Sequence, residues 1–183
     1  TEGLIGVFDV KDLPSTHPNV FSDQGGKAIL ATTTPGIVAY GPYVSGYPTK
    51  LLDVYFSIAI DNNSADDVRI LTLDVHDSFR QKVLAHMDIT RTQFPVAGAF
   101  SLFKLSFTPE EQAELEFRIY YHGFARVTAD KIAVVEPEKL QLTNHADILA
   151  LKITPPDSIT PIRPTGDEIL SLSTFTPETV RQQ

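Results

Sequence analysis

Through most of the first 135 residues, apolar side chains recur at every second position, and short clusters of turn formers interrupt them. A period of two marks a strand with one buried face, because successive side chains leave the pleat on opposite sides. Over residues 51–61, Leu52, Val54, Phe56, Ile58 and Ile60 share one face while Asp53, Tyr55, Ser57 and Ala59 share the other. The polar run 61–67 predicts a turn, after which Leu71, Leu73 and Val75 point inward against Ile70, Thr72, Asp74 and His76. These two segments are expected to be antiparallel neighbours.

The same alternation predicts strands at 83–89, at 103–107 and at 125–135. In another, Leu115, Phe117, Ile119 and Tyr121 alternate with Glu116, Arg118, Tyr120 and His122. Shorter strands are expected at 4–10, 27–31 and 36–40, between loops containing Pro and Gly. About nine strands suit an all-β, antiparallel two-sheet sandwich. One helical turn is expected at Thr108-Pro109-Glu110-Glu111-Gln112, with Thr as N-cap, Pro at the first helical position and acids after it. From residue 137 the character changes to a Pro-, Ser- and Thr-rich extension. Its apolar bursts at 140–142, 148–153 and 169–172 indicate packing on the sandwich or on a neighbouring domain. The expected organisation is a sandwich over 1–136 and an extension or linker over 137–183.

Composition narrows the function classes. Fifteen Lys and Arg against 23 Asp and Glu give 183 residues a formal net charge of −8, and no basic run occurs. A grip on phosphate backbones needs clustered cations, so nucleic acid is not an expected partner. The absence of Cys removes disulfides, thiolate metal sites and Cys nucleophiles. No apolar run reaches the roughly 18 residues of a membrane-spanning helix. The chain opens on Thr1 and reads as a piece of something larger.

Phosphate-binding loops, dinucleotide fingerprints and a Gly-x-Ser-x-Gly elbow do not occur. The five histidines, His17, His76, His86, His122 and His145, are dispersed and predefine no metal site. Asp53 and Asp74, on the outward phase of predicted neighbours, form the one concrete hydrolase pair, a glycosidase acid and nucleophile. Outward carboxylates of a sheet ordinarily serve solubility, and the expectation is a non-catalytic chain.

Four segments occur in order: Phe8-Asp9-Val10-Lys11-Asp12-Leu13, Tyr40-Gly41-Pro42-Tyr43-Val44, residues 115–123, and Ala129-Asp130-Lys131-Ile132-Ala133-Val134. Over residues 4–136 they make the chain resemble bacterial carbohydrate-binding modules of the galactose-binding-like jelly-roll group. The resemblance implies a jelly roll that binds a polysaccharide or oligosaccharide without cleaving it. It also implies a covalently linked enzyme domain and an extracellular or cell-surface location. A structural calcium joining Asp9 and Asp130, helped by backbone carbonyls and Asp12, is likewise implied by the resemblance.

Sugar recognition uses aromatic rings against pyranose C–H faces and carboxylates, amides or Arg against hydroxyls. Tyr55, Thr72, Asp74, His76, Arg118, Tyr120 and His122 share the outward phase of three predicted central strands and supply both kinds of group. A second candidate surface is the loop group Tyr40, Tyr43 and Tyr47. The alternative is a protein–protein or oligomerisation module of the same fold.

Overall fold

The computed structural model describes residues 1–23 and 25–152; residue 153, the burst at 169–172 and the rest of the predicted extension lie outside the described residues. The strands are β1 Leu4–Asp9, β2 Val20–Asp23, β3 Gly26–Ile29, β4 Gly36–Ala39, β5 Pro42–Val44, β6 Leu52–Ile60, β7 Arg69–Asp77, β8 Lys82–Thr90, β9 Ser101–Phe107, β10 Leu115–Tyr121 and β11 Val127–Val135. One short helix, α1 His145–Leu149, follows them.

Two antiparallel sheets face each other as a sandwich. The first runs β2-β3-β11-β6-β9, and β1 also pairs with β11; the second runs β4-β10-β7-β8, and β5 also pairs with β10. One edge of β11 serves two partners in turn: β3 meets Val127 to Ala129 and β1 meets Lys131 to Val135. A register shift between Ala129 and Ile132 in the β6 pairing marks the changeover.

The inward phases fill the space between the sheets. Val54, Phe56 and Ile58 oppose Leu71, Leu73, Val75, Phe117 and Ile119, all fully or almost fully buried. Phe117 is the aromatic hub, with ring centroids of Phe8, Phe107 and Tyr47 5.9, 6.2 and 6.3 Å away.

Three sequence expectations change here. First, β6 pairs with β9 and β11 while β7 pairs with β8 and β10, so the two lie in opposite sheets rather than side by side. Second, residues 108–112 form a non-helical turn: Gln112 takes φ 61°, and Glu110 is drawn to Lys82 and Arg80 at 2.7 and 3.1 Å. Third, the outward phase of β6 is not exposed, because every residue of that strand is buried.

The cover on β6 comes from residues 140–151. Leu142 and Ile148, with Leu140 and Leu151, pack on Tyr55, Ala133 and Val135 as a second, smaller apolar cluster. Helix α1 starts because Asn144 Oδ1 accepts from the Asp147 N–H at 3.1 Å while Asp147 Oδ2 accepts from the Asn144 N–H at 3.1 Å. Ile148, fully buried, contributes about 2–3 kcal/mol of transfer free energy to holding so short a helix in place.

Candidate functional site

The outer face of the second sheet gathers most of the chemistry. Since Leu71, Leu73 and Val75 of β7 and Phe117 and Ile119 of β10 fill the core, Thr72, Asp74, His76, Glu116, Arg118 and Tyr120 take the other side. The register sets them in rows: Glu116 opposite His76, Arg118 opposite Asp74, and Tyr120 opposite Thr72. On the far side of β7, β8 adds His86 opposite Asp74 and Asp88 opposite Thr72.

Each row has its own hydrogen bonding. Arg118 Nε and Nη2 donate to Asp74 Oδ1 and Oδ2, both at 2.7 Å, a bidentate pair that fixes the guanidinium plane. His76 Nδ1 lies 3.3 Å from Glu116 Oε1, with both side chains buried. Glu116 Oε2 is buried and has no hydrogen-bond partner among the described residues. Tyr40 is also buried, and burial first, then the Glu116 carboxylate, raises its hydroxyl above the ordinary tyrosine pKa.

The opposite end of the face is wetter. His122 Nε2 lies 2.7 Å from Thr72 Oγ1, and Thr72 donates to Asp88. The Tyr120 ring meets His122 edge-on at 4.8 Å, interplanar angle 61°. Burial, then the neighbouring Arg69 cation, pushes the His122 pKa down to about 4 against the opposing pull of Asp88. His122 is therefore a neutral ring over most of the pH scale, and its Nε2–H can donate to Thr72.

Asp74, His76, Arg118, Tyr120 and His122 thus share one surface, but Tyr55 does not belong with them. It lies on the other sheet, 5% exposed beneath the α1 segment, because alternation gives a side chain's phase and not what later covers it. Of the loop tyrosines, Tyr47 packs edge-on against Phe117, and its buried hydroxyl has no partner among the described residues. Tyr43, at φ 65°, is half-buried, with its ring edge-on to Tyr40 at 6.3 Å beside the Glu116 row. Sequence reasoning missed Glu116 and Asp88 on this face, although the outward phase of β10 already carried Glu116.

The hydrolase pair does not survive. Asp53 is buried on the first sheet against Ser106 at 2.6 Å and Lys104 at 3.1 Å, while Asp74 lies on the outer face of the second. Another constellation merits the same scrutiny: Ser57 Oγ is 2.6 Å from His145 Nδ1, and His145 Nε2 is 3.6 Å from Asp130 Oδ2. Ser57 has no exposed surface, so no substrate carbonyl reaches its Oγ, and the row fastens α1 to β6.

The donors expected for calcium do not fit that ion as placed. Asp9 is ion-paired with Lys131, and Asp130 faces His145. Calcium needs six to eight oxygens. Among the described residues no group of three or more His, Asp or Glu side chains is gathered for a metal.

No family model matches the chain, and no curated protein matches it in sequence. Solved structures do match in shape. The C-terminal CBM6 of LamC, a marine laminarinase from Zobellia galactanivorans, superposes with TM-score 0.50 at 10% identity, over 71% of this chain and 98% of its own. CsCBM6-3 from Clostridium stercorarium in complex with cellobiose gives TM-score 0.46 at 14% identity, over 72% of this chain and 93% of its own. CBM36 in complex with calcium and xylotriose gives 0.46 at 10%, over 71% and 99%. At 10% identity the likeness to the LamC module is one of fold, the two-sheet sandwich.

Proposed function

We propose that this chain is a non-catalytic glycan-binding module whose sugar contacts lie on the outer face of β10, β7 and β8. The observation that carries the reading is the placement on one sheet face of the Tyr120 and His122 rings beside the partly exposed Asp74 carboxylate, which the buried Arg118 holds in place. Rings accept the C–H face of a pyranose, while fixed carboxylates and a neutral imidazole meet its hydroxyls without paying ordering entropy. Tyr43 borders the same face near Glu116 and extends the aromatic surface. Attachment to a carbohydrate-active enzyme and export from a bacterial cell belong to the same proposal, supported by the segments that resemble such modules.

A glycan array followed by calorimetry tests it, with calcium and with a chelator, on wild type and Tyr120→Ala. Saturable binding to one glycan class, weakened in the variant, is expected. Binding to no glycan by a folded chain overturns the reading and favours the interaction module, whose sign is a mass that rises with concentration.

A further inference from the structure

The three carboxylates that a shared calcium would draw on, Asp9, Asp12 and Asp130, each already face a basic side chain. Asp9 Oδ1 accepts from the Lys131 ammonium. Asp12 lies beside Lys27: burial lowers the pKa of that ammonium, and the Asp12 charge pulls against it. Asp130 Oδ2 is 3.6 Å from His145 Nε2. A backbone oxygen of the turn after β1 is taken as well, since Lys27 Nζ donates to the Leu13 carbonyl. We infer that the ties a divalent cation would make between the first and last strands are made here by the chain's own Lys131, Lys27 and His145, so that the sandwich closes without calcium.

The bulge in β11 arranges these ties. Ala129 and Ile132 both point into the core, and the two residues between them, Asp130 and Lys131, stand opposite Ser57 alone. Both therefore leave the sheet on the side away from the core, an acid and a base next to each other. Lys131 turns to β1, where its register partner is Asp9, and Asp130 turns to α1, where His145 meets it. A His145 ring with its proton on Nε2 presents an N–H to Asp130 while Nδ1 accepts from the Ser57 hydroxyl, 2.6 Å away. Lys27 works from the other face: it lies opposite Ala129, on the core side, and reaches the Leu13 carbonyl from there. One stretch of β11 thus fastens β1, the turn that follows it and the covering helix.

Charge and geometry both oppose a calcium ion here. It needs six to eight oxygens, and the Lys131 and Lys27 ammonium groups stand on oxygens it would use. Those two positive charges also repel it. Asp9 and Asp12 moreover serve amines on opposite faces of the sheet.

Thermal melting of the full chain tests the inference, in millimolar calcium chloride, in magnesium chloride at the same ionic strength and in a chelator. The wild-type melting temperature should be the same in all three, and calorimetric titration with calcium should give no binding heat. Lys131→Met and Asp9→Asn should each lower the melting temperature by about 1–3 °C, the loss expected for one partly exposed ion pair in a chain of this length. The double variant should lose no more than either single one, because both substitutions remove the same tie. Asp130→Asn and His145→Gln should behave alike as a second pair, with faster amide exchange at Ile148 as the sign that α1 is loosened. Melting involves no sugar, so the result stands apart from the glycan reading. A saturable rise of the wild-type melting temperature with calcium but not with magnesium overturns the inference, and so do additive losses in Asp9→Asn and Lys131→Met.

Discussion

Acidification should weaken the fold through His122, by an amount that the geometry bounds. The unfolded chain protonates this ring near 6.5 and the folded chain near 4, because burial, then Arg69, disfavours the imidazolium. A depressed folded-state pKa on a base means that stability is full above 6.5 and drains away as the pH falls from 6.5 to 4. At about 1.4 kcal/mol per pKa unit this span amounts to roughly 3 kcal/mol, which solvent screening of a half-buried ring trims to about 1–2 kcal/mol. Urea unfolding of wild type and His122→Asn across that window isolates the effect, since carboxylates common to both proteins largely cancel. His122→Asn loses the Tyr120 packing at every pH, so it begins less stable, and the gap should narrow by about 1–2 kcal/mol on acidification. A gap that does not change with pH, or a native imidazole resonance that titrates near 6.5, would refute the reasoning.

Other perturbations follow from individual contacts. Ile148→Ala should destabilise by about 2–4 kcal/mol in urea unfolding, since the side chain is fully buried in the cluster over β6. Gly26→Ala should yield little folded protein in a solubility assay, because a Cβ there falls 2.1 Å from the carbonyl oxygen of Ala129, which belongs to the paired strand β11. Asp74→Ala should lower unfolding stability by about 3–5 kcal/mol by removing both carboxylate bonds from the buried Arg118, and the double variant Asp74→Ala/Arg118→Met should recover part of the loss. Asp77 is fully buried; its burial is outweighed by hydrogen bonds from Arg80, from the Arg80 backbone and from the Glu114 backbone, so its pKa is lowered. The stability Asp77 confers should be present above 3.8, the ordinary aspartate value, and lost as the pH falls below it, and Asp77→Asn should flatten the acid limb of the unfolding curve.

Strand positions and phases were legible in the sequence, because the period of two follows directly from the pleat: nearly every predicted strand is present within a residue or two. Partnership was not legible. The polar turn between β6 and β7 looks like a hairpin loop, yet the chain crosses there from one sheet to the other, and alternation carries no information about which sheet a strand joins. That error carried Tyr55 onto the wrong face and placed Asp53 beside Asp74. The short strands β2 and β5 lack the alternating length to announce themselves. The start of α1 was written in Asn144 and Asp147, a reciprocal cap three residues apart, but it lay inside a segment read as an extension. Asp74, His76, Arg118, Tyr120 and His122 came together as expected because β7 and β10 are true neighbours in register.

The central place of β11 also governs the order in which the molecule can be made. This strand lies between β3 and β6 and pairs with β1 as well, and Leu4 meets Val135 across almost the whole described chain. During synthesis the second sheet has all its strands once residue 121 has emerged, whereas the first has no common partner for β1, β3 and β6 until residue 135. The apolar strand β6 must wait meanwhile with its β11 edge unpaired and its outer face uncovered, that cover arriving last, with residues 140–151. Closing such long loops slows folding, and an exposed strand invites the wrong neighbours. A nascent chain halted before β11 should therefore recruit chaperones, and one released after residue 151 should not need them.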